Sequence, residues 1–131
     1  MTRRNISTGK ASEAKNAHSA GVVASGDFLF TSGITPRDDA GNLVGVGDMA
    51  AQIDRTLANL EDVLRAAGTG FADVVKLTVF VTNIDAYRDA RTASGACIDA
   101  AMSAAPASTL VEVSRLADPD MMVEIEAVAL K

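Results

Sequence analysis

A chain of 131 residues, 48% of them apolar, is long enough to close one hydrophobic core without metals, and its single cysteine, Cys97, excludes an intrachain disulfide. Seventeen acidic residues against twelve basic ones give a formal charge of −5, which repels polyanions; no Lys/Arg stripe with interleaved aromatics offsets it, so nucleic acid is disfavoured as a main partner. The start, Met1 to Thr8, is basic without the apolar run of a signal peptide, and charges interrupt every stretch before the roughly 18 apolar residues of a membrane span, so cytoplasmic residence and no membrane partner are expected.

No repeat, low-complexity tract or linker divides the chain, and a single domain over residues 1–131 is expected. Gly21-Val-Val-Ala and Asp27-Phe-Leu-Phe-Thr-Ser flank Ser25-Gly26, where a glycine able to take positive φ predicts a tight hairpin. Pro36 makes continuation in a central strand improbable, because it cannot donate to a ladder. An Asp- and Gly-rich loop over 37–47 leads to Asp48, whose carboxylate can accept from free backbone N–H groups and so predicts a helix start. Met49, Ile53, Leu57, Leu60 and Leu64 then recur at three- and four-residue intervals as one stripe, and Gly68 marks the stop.

Residues 73–82 are dense in β-branched side chains and too continuously apolar for an exposed hairpin, which predicts a central strand covered on both faces. Asp85 is the expected cap of a second helix, with a stripe of mostly small residues: Tyr87, Ala90, Ser94, Cys97, Ile98 and Ala101. After Pro106, residues 108–116 and 121–130 read as two further strands, giving the order ββαβαββ. With no tryptophan, smaller apolar residues must fill most of the interior, and part of the apolar surface is expected to lie between subunits.

Four strings, in order over nearly the whole chain, resemble the YjgF/YER/UK-type RidA-like family: Phe30-Thr-Ser-Gly, Asp73-Val-Val-Lys-Leu-Thr-Val-Phe-Val-Thr, Val111-Glu-Val-Ser-Arg-Leu and Val123-Glu-Ile-Glu-Ala-Val-Ala. The resemblance implies an α/β (α+β), chorismate-mutase-like domain with a mixed sheet and two helices on one face. It also implies a homotrimer with ligand clefts at the subunit boundaries. Members of the well-described branch hydrolyse reactive enamines and imines to ammonia and a 2-oxo acid, which makes a carboxylate or imine metabolite the implied small-molecule ligand.

That chemistry needs a carboxylate anchor, polar contacts and an acidic group that handles water. On the resemblance, Ser32 and Gly33 occupy the hydroxyl-and-glycine position, Gly33 letting a ligand approach the main chain. Glu124 occupies the acidic position of the last strand; alternation with Val123 and Ile125 places it, with Glu126, on the opposite face from those residues. The anchor departs from the pattern. An Arg follows Pro-Ala in the deaminase branch, whereas Pro106-Ala107 is followed here by Ser108, which cannot make a bidentate charged contact. Leu110 stands at that branch's Cys, and His18 at its N-terminal Tyr.

Arg91 stands where the family usually has Asn near the cleft, and two readings remain open for it: a replacement for the missing cation, or a solvated helix-surface Arg. His18, the only histidine, is either a cleft residue or a loop residue. Cys97 reads as a buried thiol on the apolar helix face. Gly45-Val-Gly47 and Gly68-Thr-Gly70 lack the endings of phosphate loops, and one His with one Cys makes no ligand-spaced cluster, so neither cofactor nor metal is expected. The leading function is an imine or enamine deaminase-type hydrolase with non-standard substrate recognition. The alternative is a noncatalytic metabolite-binding or regulatory trimer; a ribonuclease or translation inhibitor fits the acidic charge least.

Overall fold

The computed structural model describes residues 2–15, 18–94 and 98–131. In chain order the elements are β1 (Thr2–Ile6), α1 (Ala11–Lys15), β2 (Gly21–Ser25), β3 (Phe28–Phe30), α2 (Met49–Ala66), β4 (Val74–Val81), α3 (Ile84–Ser94), α4 (Ile98–Ala101), β5 (Ala107–Glu112) and β6 (Val123–Leu130), with a 3₁₀ turn (Phe71–Asp73) before β4. The succession ββαβαββ runs from β2 to β6, with the second helical stretch described as α3 and α4. It is preceded by a strand and a short helix whose polar sequences carry no periodic signal.

α2 forms where three local signals coincide. Asp48 Oδ1 accepts from Ala51 N (3.1 Å), and Gly68 adopts φ +77° just past the helix end. Between them Met49, Ile53, Leu57, Leu60 and Leu64 are all buried, Leu60 and Leu64 completely. At α3 the cap is two residues earlier than expected. Asn83 Oδ1, not Asp85, accepts from the free N–H of Ala86 (2.9 Å), and Asp85 lies in the first turn.

The expected hairpin does not form. β2 pairs antiparallel with β1, in a separate two-stranded sheet, while β3 pairs with β6. Gly26, at φ +134°, therefore carries the chain from one sheet to the other. β1 is held by side chains more than by burial: the Arg3 guanidinium donates to Ala72 O (2.9 Å) and Ala104 O (2.8 Å), and Asn5 Nδ2 donates to Ala104 O (2.9 Å).

The main sheet has the order β3-β6-β4-β5, so β4 is central, antiparallel to β6 and parallel to β5. The α3–α4 segment is the crossover that a parallel pair requires. On one face Val74, Leu77, Val79 and Val81 of β4, with Val123, Ile125, Ala127 and Ala129 of β6, close a core against α2, Tyr87 and Ile98. Ser108 pairs with Leu77 in register and so belongs to this helix-covered side. Glu124, Glu126 and Val128 project to the opposite face, where Phe30 is 74% exposed. Cys97 and the side chain of Ser94 lie outside the described residues.

Candidate functional site

The residues singled out in the sequence fall into two groups on opposite sides of the main sheet. The first group surrounds a slip in the β3–β6 pairing. Thr31 N donates to Ala127 O (3.0 Å), and the next contact is a two-way exchange between Ile34 and Ile125 (2.7 and 3.0 Å). Ser32 and Gly33 therefore stand opposite Glu126 alone, which is the two-against-one count of a β-bulge. Thr31, rather than Ser32, stitches the bulge: its hydroxyl accepts from Ala127 N (3.0 Å) and donates to Ser32 O (2.7 Å). Ser32 and Gly33 are thereby left exposed.

Gly33 packs onto Glu124. A Cβ built on Gly33 would fall 2.5 Å from Glu124 Oε2, 2.8 Å from Cδ and 3.1 Å from Cγ, closer than side chains tolerate. The missing side chain is what gives the half-buried Glu124 carboxylate its place beside the bulge.

The second group lines an open groove of about 830 Å³, bounded by Ser12, Lys15, His18, Arg88, Arg91, Thr92, Ser108 and Leu110. Three elements build it. β5 supplies Ser108 and Leu110, α3 supplies Arg88, Arg91 and Thr92, and the N-terminal segment supplies the rest. The N-terminal wall is fixed by two residues. The carboxylate of Glu13 accepts from the Thr8 hydroxyl (2.8 Å), Thr8 N (3.1 Å) and Lys10 N (3.0 Å), which pins the entry to α1. These donors, the Thr8 hydroxyl first and Lys10 N next, hold its pKa down to about 2 against the opposing effect of burial.

Ser19 then ties the segment to β5. Its N–H donates to Pro106 O (3.2 Å), its hydroxyl donates to Ala105 O (2.6 Å), and it bridges Ala107 in parallel. This clasp brings the preceding residue, His18, beside Ser108. Ala105 pays for it with φ +51°, the left-handed region that a residue bearing a Cβ avoids.

The structure thus gathers His18, Arg91, Ser108 and Leu110, and it separates them by the thickness of the sheet from Ser32, Gly33 and Glu124. Lys15 and Arg88 were missed in the sequence. Arg88 stands three residues before Arg91 and so shares its helix face, a readable signal; Lys15 comes to the groove on α1, whose place is set by the Glu13 contacts and the Ser19 clasp. None of the eight described lining residues is acidic, and among the described residues no cluster of His, Cys, Asp or Glu could hold a metal ion. No helix among them is long and apolar enough to cross a membrane.

Residues 8–131 match the family described as Endoribonuclease L-PSP. The chain belongs to this YjgF/RidA-like family. Among its Rid relatives, a RutC family protein of Synechocystis is 36% identical over 131 residues, covering 99% of this chain and 98% of that one. A 2-iminobutanoate/2-iminopropanoate deaminase of Salmonella typhimurium is 34% identical over 106 residues, 81% of each chain. The crystal structure of the Rid-family protein YyfB of Yersinia pestis superposes with a TM-score of 0.85 at 33% identity, with 100% of both chains covered. The fold is that of the Rid family, a chorismate-mutase-like α+β arrangement.

Proposed function

We propose that this Rid-family chain is an imine or enamine hydrolase of deaminase type, in which Arg91 takes over the carboxylate-anchoring role that Ser108 cannot perform. The observation that carries the reading is that Arg91 and Ser108 line the same groove, with His18 beside them. On this reading Arg91 supplies from α3 the guanidinium that the deaminase branch carries on the strand corresponding to β5. It offers the planar pair of donors that a carboxylate accepts.

The acid needed for water handling lies elsewhere on the chain. Glu124 and the Gly33 bulge are on the far side of the sheet from the groove, so one copy cannot apply its own Glu124 to a ligand in its own groove. A homotrimer that sets Glu124 and Gly33 of one subunit against the groove of the next resolves this, and the exposed Phe30 on the same open face supplies apolar surface for such a contact. Glu124 then takes a proton from water as oxygen adds to the C=N carbon. Glu124 returns that proton to the nitrogen to give the carbinolamine, the hydroxyl proton then passes to the same nitrogen as C=O forms and the C–N bond breaks, and ammonia leaves with a 2-oxo acid. Bound carboxylate contacts hold the carbon in place during both steps.

The test is ammonia release from imines generated freshly in the presence of the protein, compared with their spontaneous hydrolysis. Acceleration that disappears in Glu124→Gln supports the reading; no acceleration across chemically varied imines sinks it. Light scattering of the purified chain checks the assembly, and a monomer mass overturns the shared site.

The replacement of Arg by Ser108 favours a second reading, a trimer that binds a metabolite without turning it over. Saturable binding of a 2-oxo acid with no ammonia release distinguishes it.

A further inference from the structure

We infer that the groove recognises a ligand bearing a second anionic group in addition to the carboxylate held by Arg91. The inference rests on the reading of this groove as the ligand site. It begins from a charge imbalance. The chain as a whole carries −5, yet Lys15, Arg88, Arg91 and the only histidine, His18, line one groove with no acidic residue among its described lining. Asp85 and Asp89 on the same helix, and Glu112 on β5, do not line it.

Arg88 and Arg91 stand three residues apart on α3, a spacing that brings like charges together on one helix face and works against the helix. The polarity of a helix end accounts for a cation in the last turn, where Arg91 lies, but not for Arg88 a turn earlier on the same groove. Lys15 adds a third cation from a different element. A monocarboxylate held by Arg91 leaves Lys15 and Arg88 presented to the groove from two different elements. A ligand with two separated anionic groups reaches Arg91 and these two cations together, and the hydroxyls of Thr92 and Ser108 line the same groove as further polar groups. The volume, about 830 Å³, leaves room for such a molecule.

The second group is a carboxylate or a phosphate-like oxyanion, and stable probes separate these sources. The full chain is titrated calorimetrically with butanoate, glutarate and 3-phosphonopropanoate at one fixed pH. A dianion is expected to bind at least about tenfold tighter than butanoate, and raising the salt is expected to narrow the gap. Whichever of glutarate and the phosphonate binds tighter identifies the second group. Arg88→Gln and Lys15→Gln are each expected to weaken the binding of the dianions severalfold more than that of butanoate, so that the dianion advantage shrinks. Equal affinity for butanoate and both dianions overturns the inference, as does an advantage that survives both substitutions. The outcome is independent of turnover: a dianion preference without ammonia release removes the hydrolase reading alone, and imine hydrolysis without the preference removes this one alone.

Discussion

Gly33 lies directly against the carboxylate of Glu124, with room for a hydrogen at its Cα and none for a methyl group. Gly33→Ala is therefore expected to displace the far end of the Glu124 side chain. The glycine is not in the left-handed region and the displaced atoms are flexible, so stability should change by no more than about 1 kcal/mol. Ammonia release should fall by about a hundredfold, since small displacements of a positioned group weigh heavily on rate. Thermal unfolding and the imine assay on the same preparation check the two halves; full activity with a shifted carboxylate would detach Glu124 from the chemistry.

If Arg91 anchors a carboxylate, Arg91→Ala should weaken binding of simple 2-oxo acids by about tenfold to a hundredfold, the usual worth of a charged hydrogen-bonded pair. Ser108 lies in the same groove, so adding Ser108→Arg to the Arg91→Ala chain should restore much of the loss. Calorimetric titration with pyruvate measures both steps, and unchanged affinity in Arg91→Ala returns Arg91 to an ordinary surface role.

The groove wall should respond to acid. The Glu13 carboxyl titrates near 2 in the folded chain against 4.5 for a free carboxyl, so the folded state favours its charged form. A lowered folded value means that its contribution is complete above about pH 4.5 and is lost as the pH falls towards about 2. Glu13→Gln should lower the thermal midpoint at neutral pH, and the gap to the parent should shrink through that window. A gap of constant size down to pH 2 contradicts the assignment.

Ala105 supplies the carbonyl that the Ser19 hydroxyl grips, at φ +51°. Ala105→Gly relieves the left-handed strain but frees the unfolded chain, effects of about 1 kcal/mol that oppose each other, so little net change is expected. Ala105→Val should cost about 2 kcal/mol or more, because a β-branched residue fits that region worst. Denaturant midpoints of the two variants test the contrast.

What was legible in the sequence divides along the range of the forces involved. α2 could be read because its cap, stripe and stop are local, and the central place of β4 because a continuous β-branched run suits an interior strand, although only the face of Leu77, Val79 and Val81 is buried and the expected cover on the second face is not present among the described residues. The alternation at Val123, Glu124 and Ile125 correctly assigned the faces of β6. The pairing of β2 could not be read. Its partner β1 carries Thr2-Arg3-Arg4-Asn5-Ile6, a polar string held by Arg3 and Asn5 reaching carbonyls at Ala72 and Ala104, far along the chain. The cap of α3 was misplaced by two residues because Asn83 and Asp85 are both competent acceptors, and only the geometry of the entering turn selects between them. Lys15 was illegible for the same reason as β1, since its position depends on the clasp that Ser19 makes.

That clasp separates two responsibilities along the chain. Among the described residues the buried cluster draws nothing from the first twenty, whereas Ser12, Lys15 and His18 form one bank of the groove. Substitution or indel variation upstream of Ser19 can therefore change which molecules are admitted without disturbing the packed interior. In evolutionary terms, this amino-terminal stretch is where a descendant of the chain could acquire a new taste while inheriting its architecture unaltered.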